Sequence, residues 1–304
     1  MNVLITGGAG FIGSFTKDLL KNNGHKIYIV DNLITGKIEN VEADEVFIEG
    51  DIRDEATLAK LRTYSFDAII HLAAQTSVPA SMANPLYDLS ENLEGTIKIL
   101  MLAKETGAKK FIFASSAAVY GDNDHCPLVE TDRLIPTSAY GITKMGAESY
   151  ISIFCKEYGI EPTILRYANV FGPKQSKDGE GGVIKIFIDK LQSGENPTVY
   201  GDGNQTRDFI YVGDIARAHL AALNGPNGLY NVSSHTETSV NELIEILKEI
   251  SKKEFVPQYT QVREGDIYRS CLDHTKIKEN LGWSPQISLR EGLTRTYKAL
   301  STAE

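Results

Sequence analysis

Three cysteines, Cys126, Cys155 and Cys271, are all that the 304 residues contain. They are too few and too widely spaced for a disulfide framework or a thiolate metal site, and an odd number leaves one unpaired. A reducing, cytoplasmic compartment is expected, and no metal. No apolar run approaches the ~20 residues that cross a bilayer, and no basic segment precedes the first apolar run, so neither a membrane anchor nor a leader is expected. Positive charge is also short: 31 Lys and Arg stand against 40 Asp and Glu, a net charge of −9. That excludes nucleic acid as a partner. An anionic ligand would need cations placed locally against the overall field. Repeats and low-complexity segments are missing. What remains, 42% hydrophobic and 23% charged, is an ordinary globular composition. The length suits one large domain or two modest ones.

The strongest positive signal is at the start. An apolar run, 3–6, is followed by Gly7, Gly10 and Gly13, then by apolar residues at helical spacing over 11–23 (Phe11, Phe15 and Leu19, with Ile12 and Leu20 beside them). A second apolar run, 26–30, ends in Asp31, 18 residues after Gly13. Glycines at a strand-to-helix turn let the backbone approach a pyrophosphate, which sits on the free N–H groups of the helix start, here Phe11 and Ile12. An acid at this distance takes ribose hydroxyls and repels a 2′-phosphate, so Asp31, with Asn32 beside it, selects NAD over NADP. Lys37, close by in sequence, is the one residue that favours the phosphorylated cofactor.

Further apolar runs at 45–48, 68–71, 110–114 and 162–166 alternate with helical patterns at 55–63, 85–106, 137–158 and 212–223. Apolar strands separated by helices mean a parallel sheet covered on both faces. After Arg166 the pattern loosens. Residues 172–182 are rich in Gly and charge and read as a loop that orders on binding. The tail carries helical patterns at 239–251, 275–281 and 288–300. The expected fold is α/β, a Rossmann-type doubly wound parallel sheet with a smaller C-terminal α/β substrate lobe. The cofactor domain spans 1–170, with the chain recrossing at 205–235, and the substrate lobe spans 171–304.

A second signal is chemical. Tyr140 and Lys144 stand at i and i+4 near a helix start and share a face. Of the 14 tyrosines, this is the one followed by Lys at that spacing. A free phenol, with pKa near 10, is a poor base at neutral pH, but a neighbouring ammonium and a cationic nicotinamide favour its phenolate. Such a Tyr removes a hydroxyl proton while hydride leaves the same carbon. The strand at 110–114 runs into Ser115 and Ser116, at the carboxyl end of the strand, where open α/β folds bind ligands. Ser116 is placed to bridge a substrate hydroxyl and Tyr140, whereas Ser115 reads first as a packing residue.

With Gly7–Gly13, His71-Leu72-Ala73-Ala74, Ser115–Gly121, Tyr140–Lys144, the segments 166–173 and 205–212, and Leu281-Gly282-Trp283, essentially the whole chain resembles the extended short-chain dehydrogenase/reductase family. Within it, the chain is most similar to the nucleotide-sugar branch of UDP-glucose 4-epimerases. The resemblance implies a tightly held NAD, with Tyr140 as base, Lys144 tuning it and gripping the nicotinamide ribose, and Ser116 as hydroxyl partner. It implies Asp51 and Ile52 at the adenine, Ala73, Ala74, Gln75 and Ser115 along the cofactor, and Asn92 in support. For a UDP-sugar it implies Asn169, Gly182 and Val183 at the diphosphate and nucleotide, Tyr200 at the uracil, Arg207 and Arg263 on the phosphates, and Asp266 on the ribose.

Sibling dehydratases carry an Asp-Glu pair after the catalytic hydroxyl residue, and a decarboxylase carries Glu. Here Ala117 and Ala118 stand in those places, which points to epimerisation through a 4-keto sugar. Many epimerases have Thr where Ala118 stands. A bulky aromatic four residues after the Arg-x-Gly-Asp segment excludes N-acetylated sugars in the family. Ser270 fits that place, so UDP-GlcNAc and UDP-GalNAc are expected substrates beside UDP-glucose and UDP-galactose. Alternatives are a UDP-glucuronate 4-epimerase, for which Arg269 or Lys174 would supply a cation, a nucleotide-sugar reductase, and a non-catalytic NAD-binding regulator, which the pairing of Tyr140 with Lys144 disfavours. The family's homodimer implies contacts through the helices at 85–106 and 137–158, with Ile97, Leu100, Met101, Ile151 and Phe154 as the apolar surface.

Overall fold

A computed structural model describes residues 1–123, 125–176, 182–262 and 267–301. The first half runs β1 (Asn2–Thr6), α1 (Phe11–Asn22), β2 (Lys26–Asp31), β3 (Val46–Glu49), α2 (Glu55–Leu61), β4 (Ala68–His71), α3 (Val78–Ala83), α4 (Pro85–Leu89) and α5 (Gly95–Thr106). Then come β5 (Lys110–Ser116), α6 (Ala139–Tyr158), β6 (Glu161–Tyr167), β7 (Asn169–Phe171), α7 (Val183–Ser193), β8 (Thr198–Tyr200), β9 (Thr206–Tyr211) and α8 (Val212–Asn224). The chain continues through β10 (Gly228–Val232), β11 (Glu237–Ser239), α9 (Val240–Ser251), β12 (Gln258–Thr260), α10 (Thr275–Leu281) and α11 (Leu289–Ser301).

Seven strands form one sheet in the order β10-β6-β5-β4-β1-β2-β3, every pairing parallel. Successive residues point to opposite faces. Val3, Ile5, Ile27 and Ile29 enter one core, and Leu4, Tyr28 and Val30 enter the other. Burial on both faces is why these strands read as unbroken apolar runs. The order reverses between β1 and β4, which opens a crevice at the carboxyl ends of these strands, where such sheets bind ligands. A third core, with Phe171, Phe187, Phe209, Leu243 and Leu247, lies under the remaining elements. These include a sheet of order β11-β9-β7 and a β12-β8 pair. After β6 the chain leaves the large sheet, builds β7 to β9, lays α8 against α1, and returns as β10 beside β6, with Val232 opposite Tyr167.

Several sequence expectations are corrected. The helix expected over 85–106 is interrupted: a π-helical turn, Ser90–Glu94, separates α4 from α5. The helix expected from 137 starts at Ala139, because Ser138 caps it by accepting the Gly141 N–H. The strand expected at 45–48 is Val46–Glu49. The short strands β7, β8, β11 and β12, three residues each, are too brief to leave a periodic signal. Leu100 and Ile151, expected on an exposed apolar face, are buried in the core instead. The apolar residues exposed on these helices include Leu86, Leu89, Met101 and Ile153. Among the described residues no helix is long and apolar enough to cross a membrane.

Candidate active site

β1 delivers the chain into the glycine turn. Gly7 has φ +69°, and a Cβ on it would stand 2.9 Å from the Ala73 nitrogen. A Cβ on Gly13 would collide with the Gly7 carbonyl oxygen, so only glycine lets α1 begin this close to the strand. Gly10 occupies the N-cap and no side chain caps the helix. The first N–H groups of α1, which have no partner within the helix, therefore form a seat for an anion. A cavity of about 410 Å³ opens there, with Gly7, Gly10, Phe11, Ile12 and Gly13 in its wall.

At the end of β2 the wall continues through Asp31 and Asn32. The Asp31 carboxylate accepts N–H groups from Ala9 (3.0 Å) and Leu33 (2.9 Å). Burial raises its pKa, and the backbone bonds oppose that rise. Lys37 donates its backbone N–H to Ala9 but is absent from the wall, whose lysines are Lys144 and Lys174. Ile52 lies on the wall. Asp51 does not; Arg53 grips it through Nε (2.9 Å) and Nη2 (2.5 Å) and holds its pKa below the usual carboxylate range.

The loop after β4 supplies Ala73, Ala74 and Gln75 to the wall. It is braced from behind. The Thr6 hydroxyl accepts the N–H groups of Leu72 and Ala73, both at 3.1 Å. Asn92, aimed by the π-helical turn, accepts the Gln75 N–H (2.8 Å) and donates to the Gln75 carbonyl (2.9 Å). Asn92 thus shapes the wall without lining it. The Gln75 amide is itself committed to the buried Asp88, at 2.7 Å.

Tyr140 and Lys144 meet the cavity from the first turns of α6, next to Ala114 and Ser115 of β5. Lys144 is 3% exposed. It donates to the Ala114 carbonyl at 2.8 Å and stands 5.8 Å from the centre of the Tyr140 ring. Ser115 donates to Glu148 at 2.5 Å, and Glu148 forms a buried two-point ion pair with Arg166 (2.9 and 2.6 Å). Ser116 lies one residue beyond the wall and accepts the Ala118 N–H at 3.2 Å.

Of the expected substrate residues, Tyr140 lines this cavity, whereas Asn169, Gly182, Val183, Tyr200, Arg207 and Ser270 are not part of its wall. Asn169 opens β7, Gly182 caps α7, Val183 begins it, and Tyr200 ends β8. Arg207, on β9, donates to the Thr206 carbonyl at 2.8 Å. Its neighbour Asp208 is buried and accepts from Ser234 (2.9 and 2.7 Å), His235 (3.1 Å) and Leu272 (3.3 Å). Asp208 thereby ties the segment carrying Ser270 to the strand carrying Arg207. Arg263 and Asp266 lie outside the described residues. The wall also holds Ile34, Thr35, Tyr167, Lys174 and Ser176. Tyr167 sits within a segment that carries the family resemblance, but no spacing rule singles it out.

The family model described as the NAD dependent epimerase/dehydratase family matches residues 3–233. A putative UDP-glucose 4-epimerase of Methanocaldococcus jannaschii is 46% identical over 294 residues, covering 96% of each chain. The crystal structure of a Thermotoga maritima UDP-glucose 4-epimerase with UDP-glucose superposes with a TM-score of 0.97 at 42% identity, covering 100% of this chain and 99% of that one. A UDP-N-acetylglucosamine 4-epimerase from Methanobrevibacter ruminantium, in complex with UDP-N-acetylmuramic acid, reaches 0.94 at 37% identity, covering 100% and 99%.

Proposed function

Because the chain belongs to the NAD-dependent epimerase/dehydratase family, we propose that it is an isomerase that inverts the C4 hydroxyl of a UDP-sugar, with UDP-glucose and UDP-galactose as the primary pair. The observation that carries this reading is Tyr140 and Lys144 together on the wall of the cavity that starts at the uncapped end of α1, with Ala117 and Ala118 where an eliminating enzyme needs acids. NAD fits the site: the glycine turn leaves room for a pyrophosphate, Asp31 stands where a ribose is read, and Lys37 is off the wall. Held by these residues, NAD would supply reversible hydride transfer at the sugar carbon.

The chain's own groups handle the proton. Lys144, buried beside Tyr140, stabilises the phenolate over the phenol. The phenolate takes the C4 hydroxyl proton as the 4-keto sugar forms and returns it after the sugar turns over. Ser116 holds the same hydroxyl. Arg207 and Arg263 give charge-assisted contacts to the diphosphate, with Asn169, Gly182, Val183, Tyr200 and Asp266 around the nucleotide. Residues 1–170, with the return through 205–235, form the cofactor half, and the rest of 171–304 forms the substrate lobe. Ser270 leaves room for an acetamido group, so UDP-GlcNAc and UDP-GalNAc are further substrates. Of the two cations considered for a uronate substrate, Arg269 is engaged by Glu237 (2.6 and 3.0 Å), so that alternative rests on Lys174, which stands on the cavity wall. Exposed Leu86, Leu89, Met101 and Ile153 support a homodimer through α4, α5 and α6, and the cytoplasm is the proposed location.

The test is NMR of purified protein with UDP-glucose and no added cofactor. The galacto sugar is expected to appear, and Tyr140→Phe is expected to slow its appearance by roughly 10³-fold or more. No conversion by the wild-type chain, even with NAD added, would reject the reading.

A further inference from the structure

Three phenols, Tyr87, Tyr140 and Tyr167, line a cavity that also holds Lys144. We propose that His219 is a positioning residue that turns the Tyr167 hydroxyl out of this site, so that it does not compete with Tyr140 as the acid–base phenol. The inference rests on the reading of Tyr140 as the base.

The geometry is a buried chain of hydrogen bonds. Tyr167 is the last residue of β6, and its hydroxyl lies 2.5 Å from His219 Nε2. His219, on α8, is fully buried. Its Nδ1 lies 2.9 Å from the Thr16 hydroxyl, which donates to the Ile12 carbonyl at 3.0 Å. The protons can be assigned in order. Thr16 has one hydroxyl proton, and Ile12 takes it, so Thr16 accepts from His219 and Nδ1 carries the hydrogen. Nε2 of the uncharged ring is then an acceptor, and Tyr167 must be the donor. A hydroxyl held in this direction offers its proton to histidine and not to a sugar. Breaking the bond would leave a buried acceptor unpaired, which keeps the arrangement fixed. The chain spans β6, α8 and α1. It therefore fixes a ring of the cavity wall against the helix whose start seats the anion.

The experiment uses the intact holoenzyme with UDP-glucose, reading kcat and KM, bound NAD after gel filtration, and the thermal midpoint. His219→Phe fills the space and removes the acceptor. It is expected to lower kcat roughly tenfold with KM within about twofold. His219→Gln, whose amide can accept from Tyr167 and donate to Thr16, is expected to stay within about threefold of wild type. The deciding variant is His219→Phe with Tyr167→Phe: the loosened hydroxyl is gone, so turnover is expected to recover to within about threefold, a non-additive result. A double variant as slow as His219→Phe alone, or a His219→Phe chain with wild-type kcat, overturns the proposal. Should His219→Phe not accumulate folded, Thr16→Val serves. It removes the ring's acceptor and is expected to lower kcat with KM unchanged, again restored by Tyr167→Phe; unchanged kcat overturns the proposal. A wild-type chain without epimerase activity would reject the proposed function itself, and an active wild type with unaffected variants would reject only the role of His219.

Discussion

Two histidines, His71 and His219, sit in the interior without charge, and the neighbours of each assign its protons. The Thr6 hydroxyl accepts two backbone N–H groups, so its proton goes to His71 Nδ1 at 2.7 Å. Nε2 then donates to Thr96 at 3.0 Å, and Thr96 donates to the Asn92 carbonyl. Burial lowers both imidazoles to about 3, helped at His71 by the Lys144 ammonium. The sign follows from linkage. Above about pH 6.5 neither the folded nor the unfolded chain protonates these rings. Between 6.5 and 3 only the unfolded chain does, so stability falls with pH, by up to about 1.4 kcal/mol per pH unit for each ring. Urea unfolding between pH 4.5 and 6.5 is expected to show this slope, and His219→Gln is expected to flatten it by about one proton. An unchanged slope would mean the ring titrates alike in both states. At Ser270 the expectation concerns choice of sugar. Ser270→Tyr is expected to depress turnover of UDP-GlcNAc at least roughly tenfold more than that of UDP-glucose, and equal losses would reject the gate. Ser270 and Arg207, whose roles are proposals, were singled out through the family resemblance, which rests on short motifs. Tyr167 and His219 were not: they are 52 residues apart, and nothing in either one's local pattern names the other.

Elements differ in how openly they announce themselves. β1, β2, β4 and β5 are buried on both faces, and a buried strand is an apolar run that can be read from the sequence. The break between α4 and α5 could not be read. The break coincides with Asn92, whose side chain bonds the Gln75 backbone in a loop 17 residues earlier. The seam between β5, β6 and α6 was equally hidden, because Glu148 and Arg166 read as ordinary charges and not as a buried pair. Their burial makes a prediction. Arg166→Met leaves Glu148 as an uncompensated interior charge and is expected to cost about 3–5 kcal/mol, whereas Glu148→Leu with Arg166→Met is expected to regain most of that. Urea denaturation of the two variants checks it. Similar losses in both would mean that the pair itself, rather than the stranded carboxylate, sets the stability.

For the molecule as a whole, the exposed residues on α4 and α6 matter most. Leu86 is 77% and Ile153 67% exposed, and exposed apolar side chains on two helices that pack together, α4 and α6, are a candidate interaction surface. Leu86→Asp with Ile153→Asp is expected to yield a monomer by light scattering where wild type is a dimer. A wild-type monomer, or a variant that remains dimeric, would reject the homodimer. The sequence could not locate this surface, since helical periodicity gives two apolar stripes and does not say which one the sheet covers: Leu100 and Ile151 went inward. The late return of β10 bears on how the chain is made. β6 stays an open sheet edge until residue 232 has emerged from the ribosome, roughly 3–13 s after residue 167 at 5–20 residues per second. During that interval a newborn chain presents unpaired backbone to any neighbour on the same message. Completion of the large sheet is therefore timed by translation of the segment that builds the smaller ones.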